Sequence, residues 1–154
     1  MSGFFEIGIY MGKNPLNLGT LWRSAYQLGA AGVFTIGKRY SRQASDTMNV
    51  PGNIPLRTYP DFEAFLDTRP FSCQLVAVEM GGKPLESFGH PPQAVYILGS
   101  EDNGLPQSVL DRCKHVVSIS AVRQASYNVA VAGSIVMHHR LVSRRPHQPA
   151  GAAP

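Results

Sequence analysis

The chain is expected to be an α/β protein whose mostly parallel sheet is flanked by helices, and three features of the sequence predict this. Short apolar, β-rich runs alternate with stretches whose apolar residues recur every three to four positions. The β-rich runs are apolar on consecutive positions, as strands buried on both faces of a parallel sheet are. Gly12, Gly29 to Gly32, Gly37 and the turn-rich stretch Gly81 to Pro92 punctuate the chain between runs.

Phe5 to Met11 is the first such run, closed by Gly12, and reads as a buried strand. From Leu18 to Leu28 the residues Leu18, Leu21, Trp22, Ala25, Leu28 and Gly29 share one side of a helix. Asn17 stands where an N-cap belongs, and Arg23 falls opposite the apolar stripe. Gly29 to Gly32 ends that helix and Val33 to Ile36 forms a second strand. Lys38 to Arg57 carries polar and basic side chains with Pro51, Gly52 and Pro55, and reads as an irregular excursion. Tyr59-Pro60-Asp61 opens a short helix through Phe62, Phe65 and Leu66. Gln74–Val78 and Ala94–Leu98 are two further buried strands, joined by the turn-rich stretch Gly81 to Pro92. Pro106 suits the first turn of a brief helix to Leu110, and Val116 to Ile119 is the last strand. Asn128 to Val142 is helical, with Val131, Ala132, Ile135, Val136, His139 and Val142 on one broad face.

A chain of 154 residues fits one domain, expected over residues 1–143, with 144–154 as a flexible tail. Fourteen Lys and Arg against ten acidic residues give a net charge of +4 and a pI of about 9.3, which favours a polyanionic partner. No apolar run is long enough to cross a bilayer and the first residues lack a secretory pattern, so no membrane association and a cytoplasmic location are expected. Cys73 and Cys113 lie outside any metal-ligand spacing and read as reduced thiols. His138 and His139 diverge by about 100° on a helix and cannot share a metal, and His90, His115 and His147 form no ligand spacing. No metal is expected.

Three separated segments carry the chemistry. Asn17-Leu18-Gly19-Thr20-Leu21-Trp22-Arg23-Ser24-Ala25 is compatible with a plain capped helix bearing a solvated arginine. It is equally a place where a guanidinium and free helix N–H groups could meet an anionic substrate. Leu98-Gly99-Ser100-Glu101-Asp102-Asn103-Gly104-Leu105-Pro106 follows a buried strand, and its Gly-x-Glu-x-x-Gly turn serves either tight backbone geometry or a ligand loop. Ser126-Tyr127-Asn128-Val129-Ala130-Val131-Ala132-Gly133 opens the last helix. Ser126 and Asn128 are ordinary caps there, whereas Ala130, Ala132, Gly133 and Ser134 would let another backbone approach closely.

In this order the segments resemble the SpoU/TrmH branch of the SPOUT superfamily, RNA ribose 2′-O-methyltransferases that use S-adenosylmethionine. The resemblance spans about Phe5 to Val142 and is that of the minimal, single-domain type. It departs from the family pattern at Tyr127, usually leucine, at Ala130, usually serine, and after Ile119, where the usual proline is absent. The resemblance implies a C-terminal trefoil knot, an exception to the rule that chains do not thread loops. It also implies a homodimer, S-adenosylmethionine as cofactor and RNA, with tRNA expected, as substrate.

Carried over residue by residue, Arg23 engages the ribose hydroxyl or its adjacent phosphate, with Asn17, Glu101, Ser126 and Asn128 fixing the geometry. The cofactor would be held by Leu98, Gly99, Glu101, Gly104, Ile119, Ser126 and Asn128; Val78, Glu79 and Met80 are candidates by position at a strand end. Lys38, Arg39 and Arg42, near Tyr40 and Arg57, join Arg23 as candidates for the RNA-facing surface, with a solvated loop as the other reading. Guanidinium groups, with reference pKa values above about 12, are poor bases, so Arg23 is open to acting either as an assisted base or as a positioning group. Two further function classes compete with this reading. One is a non-catalytic RNA-binding or scaffold protein that kept the fold. The other is an ordinary doubly wound nucleotide-binding enzyme, which lacks its Gly-x-Gly-x-x-Gly loop here.

Overall fold

The computed structural model describes residues 3–37 and 54–144. Six strands form one sheet in the order β3-β2-β1-β5-β4-β6, and every pairing between them is parallel. They are β1 (Phe4–Tyr10), β2 (Gly32–Ile36), β3 (Leu56–Tyr59), β4 (Gln74–Pro84), β5 (Gln93–Leu98) and β6 (His115–Ser118). The α-helices are α1 (Pro15–Gln27), α2 (Phe62–Thr68), α3 (Gln107–Leu110) and α4 (Val129–Ser143), with a 3-10 turn at Leu85–Ser87.

The two-residue period of the strands divides the core between the two faces of the sheet. Phe5, Ile7 and Ile9 of β1 and Ala94, Tyr96 and Leu98 of β5 meet the apolar stripes of α1 and α4 on one face. Val95 and Ile97 of β5, with Phe34, Leu75 and Ala77, meet α2 and α3 through Phe65, Leu66 and Val109 on the other. Ile7, Leu21 and Tyr96 are completely buried. Each such side chain contributes about 1.5–3 kcal/mol through its removal from water.

Helix α4 lies against α1 because its small residues permit it. A Cβ on Gly133 would stand 2.5 Å from Leu21 Cδ1 and 2.9 Å from Leu98 Cδ1, and Ser134 Oγ donates to Ser24 Oγ at 2.9 Å. The broad apolar face expected on this helix is split. Ala132 and Val136 enter the core, Ile135 and His139 are half-buried, and Val131 and Val142 remain exposed.

Three element boundaries differ from the sequence reading. Helix α1 starts at Pro15, a favoured first helical residue, and its N-cap is Asn14, whose Oδ1 accepts from Leu16 N–H at 2.9 Å. Asn17 is therefore not the cap but a buried first-turn residue, and its amide is released for other partners. Strand β3 occupies the end of the expected irregular excursion. It is only four residues long and lies at the sheet edge, where it pairs with β2. Strand β4 continues past Val78 through the expected turn, and a register shift between Val78 and Lys83 lets both pair with Val117 of β6. Lys38, Arg39, Tyr40 and Arg42 lie outside the described residues, as do 145–154 of the expected tail.

Because the strands are parallel, the ends of β4, β5 and β6 lie on the same side of the sheet as the starts of α1 and α4. Crevices at the carboxyl ends of parallel strands are where open α/β sheets bind ligands.

Candidate active site

The centre of the site is the carboxylate of Glu101, in the turn after β5. It accepts from the backbone N–H of Lys13 at 3.1 Å, that of Asn14 at 3.3 Å, and Asn17 Nδ2 at 2.9 Å. Asn17 Oδ1 in turn accepts from Asn128 Nδ2 at 3.0 Å. Asn128 Oδ1 then caps α4, accepting from Ala130 N–H at 2.9 Å and Val131 N–H at 3.2 Å. Glu101, Asn17 and Asn128 thus join the three sequence segments through side chains 84 and 111 positions apart. Each amide is used at both ends, which fixes the orientation of both asparagines.

Partial burial pushes the Glu101 carboxyl up, but the hydrogen bonds from Asn17 and from backbone N–H groups outweigh it. The carboxyl is held below its ordinary value and stays ionised. Its neighbour Asp102 is held far lower, first by Lys13, whose Nζ lies 2.7 Å from Asp102 Oδ2.

Beside this chain of contacts lies a cleft of about 480 Å³ walled by the ends of β4 and β5 and by the segment from Ser118 to Val129. The turn from Ser100 to Gly104 is tight. Gly104 N–H bonds Ser100 O at 3.2 Å, and Asn103 N–H bonds Ser100 Oγ at 3.2 Å. Gly104 has φ +63°, and a Cβ on Gly99 would stand 2.5 Å from Gly104 carbonyl carbon, so both glycines are dictated by the close return of the backbone. Glu79 clamps the turn to β4, accepting from Leu105 N–H at 2.6 Å while its other oxygen accepts from Met80 N–H.

Val78, Glu79, Met80, Leu98, Gly99, Glu101, Gly104, Ile119 and Ser126 all line the cleft. Asn128 stands behind the wall, turned to Asn17. Arg23 is exposed on α1, about 9 Å along the axis from Asn17, and neither lines the cleft nor makes a hydrogen bond among the described residues. Arg57, considered with the basic excursion, is engaged at 2.7 Å with Glu6, a carboxylate buried in β1. Arg123 and Tyr127 line the cleft without having been singled out for it. They lie in a run with no periodicity, and only the place of Tyr127 beside the Ser-x-Asn corner offered a signal.

The apolar wall formed by Val78, Leu98, Ile119, Val129 and Ala132 would suit a purine, and the carboxylates on its rim a cation. A cleft of this size is within the range that holds a small-molecule cofactor. Among the described residues no cluster of His, Cys, Asp or Glu could hold a metal ion, and no helix is long and apolar enough to cross a membrane.

An uncharacterized tRNA/rRNA methyltransferase of Archaeoglobus fulgidus is 27% identical over 128 residues, covering 79% of this chain and 57% of the relative. An uncharacterized tRNA/rRNA methyltransferase of Mycobacterium tuberculosis is 28% identical over 146 residues, covering 89% and 45%. The chain thus spans about half the length of the curated relatives it matches. Among solved structures, the SpoU methyltransferase AviRb of Streptomyces viridochromogenes, in complex with AdoMet, superposes with a TM-score of 0.80 at 22% identity, over 92% of this chain and 58% of that one. A structure described as giving insights into 2-OH methylation of C/U34 on tRNA superposes with a TM-score of 0.79 at 23% identity, over 94% of this chain and all of that one. Likeness at this identity shows the shared α/β fold. The family description "SpoU rRNA Methylase family" matches residues 6–138, and the chain belongs to that family.

Proposed function

We propose that this chain, as a single domain over residues 1–143, transfers a methyl group from S-adenosylmethionine to a ribose 2′-hydroxyl of RNA, with tRNA as the RNA. The observation that carries the proposal is the hydrogen-bonded line Glu101–Asn17–Asn128, which gathers three separated motifs at the rim of one cleft. When bound, S-adenosylmethionine supplies a methyl group already activated by its sulfonium. The work left to the chain is to orient the attacking oxygen, exclude water and accept a proton.

The apolar wall and the close-returning glycine turn are the parts suited to hold the nucleoside end of the cofactor. Glu101, kept ionised by its donors, places negative charge at the rim, where a cationic ligand gains most from it. Asn17 and Asn128 lock that carboxylate and the start of α4 in one geometry.

Arg23 completes the reading as the group that engages the ribose hydroxyl or its phosphate, and it would do so in the cleft of a second copy. Two features support a homodimer. Arg23 lies outside its own cleft, and Thr20, one turn earlier on α1, lines a second groove of about 500 Å³ with Val131, Ile135 and Val142 of α4. Two of those apolar side chains, Val131 and Val142, are more than two-fifths exposed. A trefoil knot, with the chain threaded between β6 and α4, is part of the same proposal and is supported by family membership.

The test is methyl transfer from labelled cofactor to total tRNA, comparing the native chain with Arg23→Ala, followed by mapping of 2′-O-methyl positions. The proposal expects transfer by the native chain to a ribose and its near loss in the variant. Undiminished transfer by Arg23→Ala would remove that residue from its role, and absence of cofactor binding by the native chain would return the fold to a non-catalytic reading.

A further inference from the structure

We propose that Arg123 is the residue that receives the carboxylate at the amino-acid end of the cofactor. This rests on the reading of the cleft as an S-adenosylmethionine site, and it concerns the wall formed by the segment from Ser118 to Val129. Among the described residues the lining contains three carboxylates, Glu79, Glu101 and Asp102, and one cation, Arg123. Each carboxylate already has a partner: Glu79 the N–H of Leu105, Glu101 the N–H of Lys13 and the amide of Asn17, and Asp102 the ammonium of Lys13. Arg123 is exposed and its guanidinium makes no hydrogen bond among the described residues.

The cofactor brings a sulfonium, an ammonium and one carboxylate. The first two are drawn to the acidic rim, whereas the third is repelled by it. A guanidinium is the group that takes a carboxylate with two parallel hydrogen bonds, and Arg123 is the one such group that lines the cleft among the described residues.

The segment that carries Arg123 is braced to present it. Tyr127 Oη donates to Ser120 O at 2.7 Å and so ties the two ends of the loop together, while Ala125 N–H bonds Arg123 O at 3.0 Å. Ser120 Oγ bonds Glu86 Oε2 at 3.0 Å, which anchors the loop to the turn after β4. Tyr127, in place of the family's usual leucine, thus supplies a brace that a leucine cannot.

The experiment is calorimetric titration of the native chain, Arg123→Ala and Arg123→Lys with two nucleosides. S-adenosylhomocysteine carries the amino-acid end, and 5′-methylthioadenosine lacks it. Arg123→Ala should weaken S-adenosylhomocysteine about five- to tenfold, leave 5′-methylthioadenosine unchanged, and be partly rescued by Arg123→Lys. Equal weakening of both ligands, or of neither, would overturn the assignment. A raised KM for RNA with both nucleoside affinities intact would also overturn it, and would mark Arg123 as a phosphate contact. If the native chain binds neither nucleoside, the cofactor reading of the cleft fails and the assignment falls with it.

Discussion

The two ends of helix α4 are held by polar networks of opposite kind. At its start, Asn128 caps the helix and reaches through Asn17 to Glu101, with the chain of contacts opening on the cleft. At its other end Arg140, only 2% exposed, donates to Pro91 O at 2.7 Å, Tyr96 Oη at 3.1 Å and Pro92 O at 2.9 Å. The line continues from Tyr96 Oη to His90 Nδ1 at 2.6 Å and from His90 Nε2 to His139 Nδ1 at 2.7 Å. The guanidinium also lies over the Phe5 ring, 4.8 Å from its centroid. One network is poised beside a ligand space, and the other is sealed against the sheet. Loss at the sealed end should therefore appear as lost stability, and loss at the open end as lost binding and turnover.

The largest effect is expected from Arg140→Ala. It removes three hydrogen bonds in a buried site and leaves Pro91 O without this donor, at a cost of roughly 3 kcal/mol or more. Urea denaturation should show it, with little change in cofactor affinity for the fraction still folded. Gly133→Ala comes next, because the added methyl must displace Leu21 and Leu98, and overpacking of this kind costs about 1–3 kcal/mol. At the open end Asn128→Ala removes a helix cap, about 1 kcal/mol. Its methyl-transfer rate should nevertheless fall by roughly tenfold or more, since the Asn17 amide loses its orientation. A variant with intact transfer would erase the distinction between the two ends.

The smallest effect is in pH. Burial, then His139, Arg140 and Arg144, lower the pKa of His90 from 6.5 to about 3. Between those values the unfolded chain binds a proton that the folded chain refuses, so stability is present above about 6.5 and declines as pH falls through the window. Glu101, also lowered, contributes loss in the same direction at acid pH. Thermal melts of the native chain and His90→Gln at pH 7 and pH 5 separate the two, and the variant should show the shallower dependence.

The same contrast explains what could be read from the sequence. Glu101 sits in a short motif at the end of an apolar strand and Asn128 in one at the start of an apolar helix, and in a parallel sheet strand ends and helix starts meet at one edge. Asn17 was in the right segment with the wrong local role, because Pro15 and Asn14 start the helix one turn earlier than its apolar stripe suggests. The sealed network left no trace of this kind. Tyr96 lies 6 positions from His90 and 44 from Arg140, in ordinary strand, loop and helix contexts, and only the fold makes the three neighbours. β3 was missed because four half-exposed residues after Pro55 carry no apolar run, and their strand conformation is imposed by pairing with β2.

The convergence of the three motifs is tested most directly by a double-mutant cycle on cofactor affinity, using Asn17→Ala, Asn128→Ala and the double variant, each checked for folding. Because Asn128 Nδ2 donates to Asn17 Oδ1, either single change should weaken binding and the double change should cost clearly less than their sum. Strict additivity, or affinity untouched by all three variants, would contradict the joining of these residues into one cofactor site.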